Sequence, residues 1–67
     1  MSRRALSTLI GKAEIAVVVE RANERAMIAD VVKNGARLPA DHWRARHRAE
    51  ERLRTLRLID DVLAEAS

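Results

Sequence analysis

The chain has no cysteine, no tyrosine and no phenylalanine, and only one tryptophan, one proline and two glycines in 67 residues. Each absence excludes something. Without cysteine there is no disulfide staple and no thiolate metal site, which fits a reducing compartment. Without phenylalanine or tyrosine, and with alanine and valine supplying much of the apolar content, the core has little bulk. Close helix contacts are then favoured over a large globular interior. Long apolar runs are missing too. The longest spans Ile15 to Val19, far below the roughly 20 residues of a membrane-spanning helix. No apolar stretch with a small-residue cleavage site follows Arg3 and Arg4, so no signal or transit peptide is read. The expectation is a cytoplasmic chain with no membrane span.

The scarcity of glycine and proline is itself informative, because the few there are mark the one break. "KNGARLPAD" (33–41) holds Asn34-Gly35 and Leu38-Pro39. Glycine suits a helix C-terminus, where it takes the left-handed conformation without a Cβ penalty. Pro39 suits the first turn of a following helix, with Asp41 as N-cap or first-turn acid. The pattern on both sides is helical. One helix is expected over about 7–34, starting as early as Ser2, and a second over about 41–66, with a loop at 35–40. Gly11 inside the first costs about 1 kcal/mol. No strand signal, repeat or low-complexity segment appears. The fold class is all-α: a single domain (1–67) forming a two-helix antiparallel hairpin.

The second helix carries one main apolar stripe: Ala45, Ala49, Leu53, Leu56, Ile59, Leu63 and Ala66. The first is apolar on two sides. One holds Leu6, Leu9, Ile10, Ala13, Ala16, Val17, Met27 and Val31. The opposite side holds Ile15, Val18, Val19, Ala22, Ala26 and Ala29. A single partner helix cannot cover both. The second side is therefore expected to be a dimer interface, giving a homodimeric four-helix bundle.

The charges are unevenly ordered. Residues 42–57, "HWRARHRAEERLRTLR", carry six arginines and two glutamates, and the acids Asp60, Asp61 and Glu65 follow. That order opposes the helix dipole, which favours acids first and bases last. Two readings compete. In one, the arginines mirror acids of the first helix across a hairpin in which residue i faces roughly residue 75 minus i. Glu20 and Glu24 then engage Arg48, Arg52 or Arg54, and Asp30 lies near Arg44 and Arg46. In the other, Arg44, Arg46, Arg48 and Arg52 with Trp43 bind an outside partner: an acidic protein surface, or nucleic acid by phosphate contacts and base stacking. The net charge of +3 permits nucleic acid without demanding it.

No metal site, cofactor or catalytic constellation is expected. His47 with Glu50 or Glu51 has ligand spacing, but arginines crowd the neighbourhood and oppose a cation. The few hydroxyls have no histidine at an evident supporting position, and there is no phosphate-cradling glycine loop. The architecture resembles small dimeric bundle regulators of plasmid copy control, without a shared motif, so no residue is carried across. The expected function is a non-enzymatic regulator, adaptor or inhibitor that binds another protein as a helical-hairpin dimer. A bacteriophage or mobile element would encode such a chain to block a host machine. The alternative is a nucleic-acid-binding regulator using the arginine-rich start of the second helix.

Overall fold

Two helices account for most of residues 2–66, the part of the chain that the computed structural model describes: α1 (Arg3–Asn34) and α2 (Arg44–Ala66). They pack on one another antiparallel, and no strand occurs among the described residues.

Helix α1 begins earlier than its apolar periodicity alone suggests because Ser2 caps it. Ser2 is extended (φ −75°, ψ 155°) and its hydroxyl accepts the Ala5 N–H at 3.1 Å. That satisfies one of the donors a helix start leaves open. At the other end Gly35 adopts φ 69° and donates its N–H to the Val31 carbonyl at 3.1 Å. A side chain there would strain the left-handed backbone.

The connection differs from the short loop read from the sequence. The Pro39 carbonyl accepts from the His42 N–H (3.1 Å) and the Asp41 carbonyl from the Arg44 N–H (2.9 Å). Pro39 thus opens a tight turn of its own, and α2 starts at Arg44 rather than near Asp41. Asp41 does not cap α2 with its carboxylate, which instead approaches Arg44 at 3.8 Å.

The path of this connection sets the register. After Gly35 the chain runs back beside the end of α1, so that by His42 it lies next to Glu24. It has retraced about 15 Å of helix. The last turns of α1 therefore project beyond α2. The interhelical pairs Glu14–Arg57, Arg21–Glu50 and Glu24–Arg46 have residue numbers adding to about 70, not the 75 expected for a tight loop. This shift corrects the expected ion pairs described below.

The interior is small. Leu6, Ala13, Val17 and Leu53 are buried, with Ile10, Ala49 and Leu56 packed against the cluster around Val17 and Leu53. Ala13 and Val17 lie one turn apart on α1 and receive Leu53 between them. The molecule is a rod of 54 × 17 × 14 Å with a radius of gyration of 15.9 Å. A compact chain of this length would have about 11 Å.

Candidate functional site

Three surfaces follow from how the side chains are distributed round the two helices. The first is a flank closed by charge. Arg3, Glu14 and Arg21 are spaced by near-whole numbers of turns and project from the same side of α1. They meet Asp60 (3.5 Å), Arg57 (3.5 Å) and Glu50 (3.2 Å) of α2. Arg3, Glu14, Arg21 and Arg57 are largely exposed and Glu50 and Asp60 half-buried, and each pair contributes little alone. Together they favour one register over slipped ones.

Beside this flank lies a strongly connected polar node. Glu24 retains only 13% exposure and accepts from Arg46 Nε at 2.6 Å, with His42 Nδ1 at 2.8 Å. Arg46 also reaches Glu50 at 3.3 Å. The Arg46 guanidinium holds the Glu24 carboxyl below the ordinary value of 4.5, against desolvation, which raises it; His42 adds to the lowering. Burial pushes Glu50 up, and Arg21 with Arg46 more than offsets it, so it too lies below 4.5. Arg46 is raised in turn, chiefly by Glu24.

The expected engagement of Glu20 and Glu24 by Arg48, Arg52 or Arg54 is therefore corrected. Glu24 is engaged, but by Arg46 and His42, because the register is shifted by about one helical turn. Glu20 forms no ion pair among the described residues. Arg54 turns to Glu51 of its own helix at 3.3 Å. Asp30 does not meet Arg44 or Arg46 either; it accepts from Asn34 Nδ2 at 2.6 Å.

The second surface is the opposite flank and the outer side of α2. Leu9, Lys12, Ala13 and Ala16 of α1 form a cleft there with Arg52. Of the arginines singled out from the sequence, Arg46 is held inside the hairpin. Arg44, Arg48 and Arg52 recur every four residues and form one row along α2. Arg48 and Arg52 have no carboxylate within ion-pair distance among the described residues, and Arg44 has only the long contact to Asp41. By helical spacing alone the six arginines at 44, 46, 48, 52, 54 and 57 are spread around the axis. The spread is real, but ion pairing removes Arg46, Arg54 and Arg57 and leaves a row. Trp43 lies near the start of this helix, 42% exposed, edge-on to His47 with ring centroids 5.7 Å apart. Val32, on the last turn of α1, stays 80% exposed.

The third surface is the far side of α1. Ile15 (65%), Val18 (66%) and Val19 (48%) are exposed, and Ala22 and Ala26 beside them are exposed as well. Ala29, at the end of the row, is half-buried. With Gly11 and Glu14 the three larger residues outline a shallow apolar depression. The two-sidedness read from the sequence thus divides as expected at Leu6, Ala13 and Val17 (buried) against Ile15, Val18 and Val19 (exposed). Ala16 and Met27, assigned to the inner side, are exposed, and Leu9 is half-buried.

No three His, Asp or Glu side chains converge among the described residues in a way that could hold a metal ion. No helix of the structure is long and apolar enough to cross a membrane. Compared with known proteins, the chain matches no family model, no curated protein and no solved structure.

Proposed function

We propose that the protein is a non-enzymatic regulator that pairs with a second copy through the outer side of α1 and acts by binding another protein. The observation that carries this reading is the exposed apolar face of Ile15, Val18 and Val19, turned away from the chain's own core. The accessible surface of 5331 Å² supports it. A compact 7.5 kDa chain would expose about 4,200 Å². The excess, on the order of 1,100 Å², is comparable to the roughly 800 Å² each partner loses in a standard interface. Pairing brings four helices together around an α1–α1 seam, with α2 outboard on each side. Sedimentation equilibrium at micromolar concentration should give the dimer mass; a monomer at every concentration overturns the reading.

Pairing through α1 leaves the arginine row of α2 and the half-exposed Trp43 free for the protein partner. Tryptophan and arginine are the residues most enriched where binding energy concentrates, and the row's charge suits an acidic surface. A second reading is favoured by the same row: Arg44, Arg48 and Arg52 gripping the phosphates of a nucleic acid. Salt separates the two. Three phosphate contacts give a log–log salt slope of roughly −2 to −3. Oligonucleotide binding with that slope, lost in Arg44→Ala/Arg48→Ala, would replace the protein partner with nucleic acid.

A further inference from the structure

We infer that the two copies pair antiparallel, with the large residues of one α1 seated on the small residues of the other and with Lys12–Asp30 and Glu14–Arg25 ion pairs closing the two edges. This rests on the self-association reading above and adds its geometry.

The outer face is not uniform along its length. Its first half carries Ile15, Val18 and Val19, and its second half carries Ala22, Ala26 and Ala29. A parallel pair sets Ile15 against Ile15 and Ala22 against Ala22, which crowds one end and leaves a void at the other. Turning one copy end over end sets each bulky residue on a small one. With partners' numbers adding to about 40, Ile15 meets Ala26, Val18 and Val19 meet Ala22, and Gly11 meets Ala29. Packing to interior density favours that alternation.

Gly11 fits the same arrangement. A helical glycine costs about 1 kcal/mol relative to alanine, and nothing inside the chain requires this one. A Cβ added there would meet nothing within 4 Å, and its backbone is not in the left-handed region. Close approach of a second backbone at Ala29 gives the missing side chain a purpose.

Charge is complementary in the same arrangement. An end-over-end two-fold pair brings like edges of the two helices together. One edge of the outer face carries Lys12 and Asp30, and the other carries Glu14 and Arg25. Both combinations are opposite in sign and fall at the same register as the apolar pairs. Within one chain Lys12 and Arg25 form no ion pair among the described residues. Asp30 bonds only to Asn34, and Glu14 holds only a loose, exposed contact to Arg57 at 3.5 Å. A parallel pair instead brings unlike edges together, setting Lys12 near Glu14 and Arg25 near Asp30, so the choice between the two orientations rests on the large-on-small packing, and the charges fix which ion pairs form.

The chain's lack of cysteine allows a single spin label at Lys33→Cys. In the antiparallel dimer the two labels sit about 40 Å apart along the axis. In a parallel dimer they sit side by side, with axes roughly 10 Å apart. A dimer with the short distance overturns the geometry and leaves the self-association reading standing; a monomer by sedimentation overturns both. The charge arm is separate. Lys12→Glu should weaken the dimer roughly tenfold, since symmetry repeats the like-charge contact twice. Lys12→Glu/Asp30→Lys should restore it. Unchanged affinity in the single variant, or no restoration in the double, removes this edge pairing.

Discussion

The two faces of α1 have similar apolar content and opposite circumstances. The inner face sets Leu6, Ala13 and Val17 on α2 and adds Glu24 to a network of hydrogen-bonded charges. The outer face offers Ile15, Val18, Val19, Ala22 and Ala26, all left exposed by the described residues. The inner face is specified by contacts within the hairpin, both in packing and in polar pairing. The outer face is specified only by its composition, and its large and small halves make sense only against something else. One helix thus carries a folding surface and an association surface on opposite sides.

Substitutions can separate these two roles. The largest effect is expected from Leu53→Ala, which empties the middle of the inner core. Truncations of buried leucine cost about 2–5 kcal/mol, and a chain of this size has only about 3–10 kcal/mol in all. Most of the cooperative urea transition by circular dichroism should be lost. Ala22→Glu comes next and should act on the outer face alone. It places a carboxylate in the seam of each copy, so the dimer should dissociate at micromolar concentration in sedimentation. Any loss of helicity beyond what dilution of the parent produces would show that the two faces are not separable.

Glu24→Gln is a smaller test of the inner face. It removes the charge that engages Arg46 and His42 while keeping the size, and the urea midpoint should fall by less than in Leu53→Ala. Acid should act in the same direction. Glu24 and Glu50 have folded pKa values below the ordinary 4.5. Their contribution is therefore fully present above about pH 4.5 and is lost as pH falls through the depressed folded values. The urea midpoint should be flat in this contribution near neutrality and decline below pH 4.5, with the decline reduced in Glu24→Gln. The smallest effect is expected from Arg3→Ala. Its pair with Asp60 is long and exposed, and such pairs contribute little that can be measured.

The sequence and the structure agree where the information is local. Gly35 marks the end of α1 because only glycine takes that backbone conformation cheaply. The valines divide between two sides because helical periodicity places them there. The register was not legible, because it depends on the path of nine residues, 35–43, that have no periodicity to read. Treating them as a short loop put Glu24 opposite Arg48, Arg52 or Arg54. The turn opened by Pro39 and the retraced length bring Arg46 there instead. The arginine row was hidden for the same reason. Six arginines around a helix look evenly spread until the register decides that Arg46 and Arg57 meet acids of α1 while Arg44, Arg48 and Arg52 do not.

The uneven placement of the interhelical ion pairs has a mechanical consequence. Arg3, Glu14 and Arg21 tie one long edge of the hairpin to Asp60, Arg57 and Glu50, as stitching ties the spine of a book. Among the described residues the edge bearing Lys12, Ala16 and Arg52 has no such stitching, and a thin apolar layer centred on Ala13, Val17 and Leu53 lies between the covers. The easiest deformation is then a swing about the stitched edge that parts the helices along the unstitched one. Apolar side chains such as Leu9 and Leu56 would be uncovered first, on the same side as the arginine row.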